Sequence, residues 1–415
     1  MFISDQGQLS DHFISHSVKL IFSRVSFAIS GVLFWWVAAK FYSVGEIGFA
    51  SVIISSSSLI LFFASFGMMP AFVKFLPQSD EKRKLFLAHL VFSFLLVCLL
   101  LILFLLLGPR AVVATGNLKG LGARLFFCFS VVAFCFFQAL ESVLMAFKKT
   151  GALVAVDVLQ CFLRIAFLPF LTFWGGYGIF FASGISAVVA LCFGAGLFVK
   201  EIRKLFAACS SMDLRPLRGT VHFSMVNFFS TATFVLPGIL APIFILKYFS
   251  EREAGFFYLP WMMFSVYASF LGSVTTAMLM KASHGEDEKK LLRKTVTLTA
   301  LLVVAGTAFF IPAAAWILGA FAKDFGINST KMLQIFFLSF FFFPIHQVYI
   351  TLCNIHNKIS AVGWVALIFS VVLSVNAFVL VPQNGALGFA WAWLTANGVT
   401  ALFVLMRVLF QNKKS

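Results

Sequence analysis

Apolar runs of about 20 residues, each the length that carries a helix across the hydrocarbon core of a bilayer, follow one another almost end to end through this chain. Of its 415 residues 61% are hydrophobic and only 11% charged, and the mean hydropathy is +1.01. No water-soluble domain of this length hides so much apolar surface. A transmembrane β-barrel requires polar and apolar residues in alternation, and the runs here are unbroken. The expected class is therefore an all-α integral membrane protein of about twelve transmembrane helices. The spans fall at roughly 18–40, 49–70, 85–107, 121–146, 151–173 and 177–199, then 221–246, 254–280, 294–318, 331–353, 359–381 and 386–410. Residues 1–16 lack the charged start and small-residue cleavage site of a signal peptide, so the first run is expected to stay as a membrane helix.

One stretch occurs twice. Lys40–Lys74 (KFYSVGEIGFASVIISSSSLILFFASFGMMPAFVK) aligns without a gap on Lys247–Lys281 (KYFSEREAGFFYLPWMMFSVYASFLGSVTTAMLMK). Ser43 faces Ser250, Glu46 faces Glu253, and Gly48-Phe49 faces Gly255-Phe256. The same offset, close to half of the 415 residues, sets Gly178 against Gly385. An offset of that size held at distant markers implies duplicated halves, an organisation used by transporters in which one half moves against the other around a central site. The expectation is two six-helix bundles, 1–206 and 207–415, joined through Lys200–Gly219, the longest polar connection. Trp174-Gly175-Gly176 and Pro382-Gln383-Asn384-Gly385 read as tight turns.

With Met1 placed in the cytoplasm, most of the 31 Lys and Arg residues fall in loops on that side, and both termini are cytoplasmic by the positive-inside rule. Cations spread over membrane loops face anionic headgroups, so the net charge of +16 does not imply nucleic acid. The seven cysteines have no metal-ligand spacing and lie mostly inside apolar runs; they read as small hydrophobes, and neither a metal nor a cofactor is expected.

Gly45-Glu46-Ile47-Gly48 after the first span, followed by a helix ending Ala71-Phe72-Val73-Lys74-Phe75-Leu76-Pro77, resembles the polysaccharide-transporter branch of the multidrug/oligosaccharidyl-lipid/polysaccharide exporter superfamily, which includes the Wzx-type O-antigen flippases. Leu352–Lys358 (LCNIHNK) and Val381–Ala390 (VPQNGALGFA) are similar to that family's pattern over its last three spans. The resemblance implies a two-lobed carrier that moves undecaprenyl-diphosphate-linked oligosaccharide across the bacterial inner membrane. It implies membrane lipids as surroundings, and a polysaccharide polymerase and chain-length machinery as partners. The related lipid II flippases typically carry two further helices, which this sequence does not show.

Such a carrier needs cations for a diphosphate and polar or aromatic faces for sugars. Charge inside a membrane costs at least about 2.5 kcal/mol on insertion scales, so each instance needs a reason. Arg164 lies near the middle of the fifth span, and Asp157, Gln160 and Arg164 share one helical face. Two readings fit: a lumen-facing stripe with Arg164 on phosphate, or a structural ion pair to a neighbouring helix. Arg24 is either an entry-site cation or a snorkelling one. Lys40 and Lys247, equivalent in the repeat, either meet a departing headgroup or anchor the interface, and Lys74 and Lys281 form a second such pair. Glu141 (with Gln138) and Asp157 are the carboxylates available for ion coupling; capping explains Glu141 as well. His346 either touches cargo or packs through a hydrogen bond. Asn376 and Asn397 read as interhelical partners, and Pro237 and Pro242 are expected to kink the seventh span. The 57 phenylalanines, with FFLSFFFF at 336–343, read as lipid-facing bulk. Trp261, Trp391 and Trp393 are either stacking or interfacial residues.

The leading reading is a lipid-linked oligosaccharide flippase. The alternative in the same superfamily is a cation-coupled drug antiporter, which would want several buried carboxylates. A membrane polymerase or ligase would need a long outer loop and a nucleophile–base pair, and the sequence displays neither.

Overall fold

The computed structural model describes residues 29–66, 82–111, 120–147, 149–197, 199, 218–283, 286–356 and 358–412. These residues are helical with short connections and contain no strand. Among them, nine helices are long and apolar enough to cross a membrane, or ten if one bent pair counts as a single span. The protein is a multi-pass membrane protein.

In the first part of the chain the helices are α1 (Ile29–Phe41), α2 (Val44–Ser65), α3 (Lys82–Ala111), α4 (Leu121–Ala146), α5 (Thr150–Phe167) and α6 (Gly176–Leu197). They continue with α7 (Arg218–Tyr248), α8 (Glu251–Ser283), α9 (Glu288–Phe321), the short α10 (Lys323–Asn328), α11 (Thr330–Leu338), α12 (Phe343–Ile355) and α13 (Ile359–Asn412). The tenth expected span is the pair α11–α12, bent by 42° across a 3₁₀ turn at Ser339–Phe341. The eleventh and twelfth are the two stretches of α13, which breaks at Gly385. Each of the twelve expected positions thus holds a helix.

The chain forms two compact units, Met1–Ala232 and Thr233–Ser415. In the first, α6 packs against α2, α4 and α5. Glycines permit the approach: a Cβ on Gly184 would lie 2.4 Å from Ser130 Oγ on α4. α2 is the most enclosed span. Its serines suit that position, since Ser51, Ser56 and Ser57 return their hydroxyls to carbonyls of their own helix and so enter the interior without unmet donors. Ile53, Ile60, Val97, Leu101, Phe127, Val131 and Phe180 knit α2, α3, α4 and α6 into one core.

In the second unit α8 is central, packed on α9, α11, α12 and α13. Its core is aromatic and corrects one expectation. Phe336, Phe337, Phe340 and Phe343 are buried, while Leu338, Phe341 and Phe342 of that run face outward. The run does not present itself to lipid because the 3₁₀ turn and bend carry it between α8 and α9. Phe337 stacks on Phe310 at 4.3 Å and Phe340 on Phe264 at 4.7 Å. Trp261 and Trp393 belong to the same cluster, 4.9 Å apart edge to face; Trp391 is exposed. α7 runs from Arg218 to Tyr248 and contains both Pro237 and Pro242. Gly238, next to the first of them, holds the Trp261 ring where a Cβ would sit at 2.5 Å.

The duplication is visible in backbone geometry, with one shift of register. Ser43 and Glu46 form a reciprocal cap at the start of α2, and Ser250 receives the Glu253 N–H at the start of α8. Each glutamate lies against a glycine of positive φ. A Cβ on Gly175 (φ 54°, ψ −140°) would meet Glu46 Oε1 at 2.9 Å, and one on Gly385 (φ 60°, ψ −143°) would meet Glu253 Oε2 at 3.2 Å. Gly385 therefore corresponds to Gly175, and Gly388 corresponds to Gly178. The second half carries three extra positions between Glu253 and Gly385, so matching Gly178 to Gly385 at constant offset was out by those three.

Candidate functional site

The polar stripe of the fifth span faces α1. Asp157, Gln160, Cys161 and Arg164 lie at i, i+3, i+4 and i+7 of α5, one face of a helix. Asp157, Gln160 and Cys161 are buried and Arg164 is half-buried. Across from them α1 presents Ser30 and Phe34, themselves one turn apart and buried. Arg164 Nη2 donates to Ser30 Oγ at 2.7 Å, and Ser30 donates to Cys161 Sγ at 2.9 Å. The guanidinium carbon lies 5.3 Å from the centre of the Phe34 ring, within cation–π range. A hydroxyl and a ring face help to aim the guanidinium. Along α5 Asp157 and Arg164 lie about 10 Å apart at 1.5 Å per residue. Arg164 reaches across to α1.

A second polar patch in this unit went unnoticed in the sequence. Leu61, Ala64 and Ser65 of α2, His89, Leu90 and Ser93 of α3, and Cys135, Gln138, Ala139 and Ser142 of α4 enclose a cavity of about 30 Å³. That is room for a water molecule. His89 is buried, and Ser93 one turn on shares its face; that i, i+4 pair in an otherwise apolar span was the available signal. Gln138 lines this cavity, while Glu141, one turn later on α4, is half-buried.

In the second unit His346 is fully enclosed. Its Nε2 lies 2.9 Å from Asn397 Oδ1, and Asn397 donates through Nδ2 to Trp393 O. The amide is thereby oriented with its oxygen toward the histidine, which makes Nε2 the donor. Phe234, Phe343 and Phe369 surround the ring. Asn397 joins two helices as expected, whereas Asn376 bonds Val372 O of its own helix.

Lys40 and Lys247 are exposed at their helix ends, each beside a ring: Lys40 Nζ at 5.6 Å from Trp36 and Lys247 Nζ at 5.8 Å from Tyr248. Lys281 lies 3.9 Å from Glu286 on the surface. Arg24 and Lys74, and the side chains of His222 and Asn227, lie outside the described residues. The structure thus gathers Asp157, Gln160 and Arg164 on one face with Ser30, and leaves Lys40, Lys247 and His346 at separate places in their own units.

Outside the spans, Tyr42 sits between α1 and α2 and donates to Leu168 O at 2.8 Å. Burial, aided by the Glu46 carboxylate, pushes its phenol up to about 12.

No family model and no curated protein matches the sequence. Solved structures do match, over nearly the whole chain. The lipid II flippase MurJ in an inward closed conformation aligns with a TM-score of 0.72 at 15% identity, covering 95% of this chain and 87% of that one. A transporter of the MOP superfamily from Pyrococcus furiosus aligns at 0.66 and 14% identity, covering 96% of each chain. An inward-facing multidrug resistance MATE family transporter of the MOP superfamily aligns at 0.62 and 15% identity, covering 95% of each. At such identities the likeness is one of fold: the chain has the all-helical architecture of the MurJ and MATE transporters.

Proposed function

We infer that this chain is a flippase that translocates undecaprenyl-diphosphate-linked oligosaccharide across the bacterial inner membrane by alternating access. The observation that carries this reading is Arg164. A guanidinium held in mid-span beside Asp157 and Gln160 is costly in a membrane, and it presents the planar donor fork that phosphate oxygens accept. Two lobes, 1–206 and 207–415, would rock about the cargo headgroup while its isoprenoid tail stays in the bilayer. Gln160 offers an amide to sugar hydroxyls, and Arg24, Lys40 and Lys247 add cations along the route. Both termini would be cytoplasmic, and a polymerase and chain-length machinery would take the product on the far side.

Buried Asp157, together with the MATE fold, supports a second reading as a cation-coupled antiporter. In it the carboxylate carries the coupling ion and Arg164 only positions it. Complementation separates the two. A flippase-null strain receives the wild-type chain, Arg164→Ala or Asp157→Asn, with membrane abundance quantified. Loss of surface polysaccharide with accumulation of lipid-linked repeat units in Arg164→Ala supports the flippase. Restored resistance to cationic drugs by wild type, lost in Asp157→Asn, with no polysaccharide phenotype, favours the antiporter.

A further inference from the structure

The second unit contains a cleft that the functional reading leaves unused. It lies between α9 (Val296, Thr299, Val303), the bend and α12 (Phe341, Tyr349) and the end of α13 (Val404, Val408), and its volume is about 560 Å³. The bend is its cause: where the chain turns by 42° through Ser339–Phe341, α12 leaves α9 and the gap opens. From Phe341 to Leu352 the cleft follows α12 for about 16 Å at 1.5 Å per residue. Apart from Thr299 and Tyr349, its lining is hydrocarbon and aromatic.

One end of this cleft is charged. The start of α9 and the end of α12 are held together there by Glu288 and His356 at 3.0 Å. Arg293 stands one turn before Val296 on the cleft-lining face of α9, and Arg407 lies one turn after Val404 and next to Val408, both of which line the cleft. Lys294 and Lys358 are exposed at the same end. The acidic residues there are engaged: Asp287 caps the start of α9, Glu286 lies by Lys281 and Glu288 by His356. An apolar slot with a basic mouth fits an amphiphile with one anionic head. The volume holds about twenty carbons at roughly 30 Å³ each, close to the share of one liquid water, which is one chain rather than the two of a diacyl lipid.

The geometry points to a binding site for the isoprenoid chain of a polyprenyl phosphate or diphosphate, its first twenty carbons along α9 and α12 and its phosphate at Arg293 and Arg407. This rests on the flippase reading, and it adds where the tail is held while the headgroup crosses.

The test uses the purified full chain in nanodiscs and a sugar-free undecaprenyl phosphate with a photoreactive group within its first four isoprene units. Cross-linked peptides from residues 296–304, 341–352 and 404–408 are expected. Labelling should disappear in Ala300→Trp, which fills the slot from an exposed position, and persist in Val371→Trp, an outward-facing control. The Arg293→Gln, Arg407→Gln pair should weaken apparent affinity about tenfold or more, the worth of a charged hydrogen bond, with melting temperature unchanged. Excess unlabelled undecaprenyl phosphate should compete and excess phosphatidylglycerol should not. Labelling elsewhere, labelling indifferent to Ala300→Trp, or equal competition by phosphatidylglycerol would overturn the site. Flipping of lipid-linked oligosaccharide by the wild-type protein without cleft labelling sinks the tail site alone; labelling without flipping sinks the flippase reading and leaves the site.

Discussion

Replacing Gly178 or Gly388 with alanine should destabilise the corner that each of them closes, and by similar amounts. In both, the added methyl would lie 2.1 Å from a backbone carbonyl oxygen, that of Leu171 for Gly178 and of Leu380 for Gly388. Carbon and oxygen in contact need more than 3 Å, so about 1 Å of main-chain movement is required, and no rotamer change supplies it. Gly178 also faces Tyr42 Oη at 2.9 Å, so that movement would strain the bond from Tyr42 to Leu168 O. Overpacking that cannot relax costs about 1–3 kcal/mol and occasionally more; an obstacle made of backbone belongs at the upper end, about 3 kcal/mol. At roughly 2–4 °C per kcal/mol for a unit of this size, the melting temperature should fall by about 6–12 °C. Gly363 and Gly398 have nothing within 4 Å of an added methyl and sit inside α13. Alanine there should be neutral or gain up to about 1 kcal/mol in helix propensity. The assay is thermal unfolding of fluorescently tagged, detergent-solubilised protein followed by size exclusion. Wild-type melting of both Gly178→Ala and Gly388→Ala would refute the close approach and, with it, the structural equivalence of the two corners.

Other consequences follow from single contacts. Gly175→Ala and Gly385→Ala, both at positive φ, should each cost about 1–3 kcal/mol through backbone strain, measured in the same assay. Asn397→Leu leaves His346 Nε2 in the core without its acceptor and should cost about 1–3 kcal/mol; in a double-mutant cycle with His346→Phe most of that loss should vanish. Tyr42 binds its proton more tightly in the folded protein than unfolded. The stability this gives is complete below pH 10 and falls as pH rises toward 12, so Tyr42→Phe should flatten the alkaline limb of a melting-temperature profile while lowering stability at neutral pH.

The helices were legible because a bilayer imposes length and apolarity on every span, and those two requirements are written one residue at a time. Ser43, Glu46, Ser250 and Glu253 stood out in the sequence as markers of the repeat, and the caps that they form came with the structure. What escaped depends on contacts between distant segments. The three-residue shift that pairs Gly385 with Gly175 arises from insertions that leave no mark near either glycine. The burial of Phe336, Phe337 and Phe340 follows from a 3₁₀ turn inside a run that hydropathy reads as uniform. Arg164 stood out by its charge, and its partner Ser30 did not, since one hydroxyl inside an apolar run resembles many others. His89 was passed over because its only local signal is Ser93 one turn on; the rest of its polar surroundings come from α2 and α4.

The central claim is that Arg164 handles the headgroup of a lipid-linked oligosaccharide. The most direct measurement is reconstitution of the wild-type chain and Arg164→Ala into liposomes containing fluorescent undecaprenyl-diphosphate-linked oligosaccharide, with translocation read by quenching from one side. The account predicts flipping by wild type, a fall of tenfold or more in Arg164→Ala, about the worth of a charged hydrogen bond, and partial recovery in Arg164→Lys, which keeps the charge and loses the fork. Equal flipping by wild type and Arg164→Ala at matched protein levels would contradict it and return Arg164 to a structural link between α1 and α5.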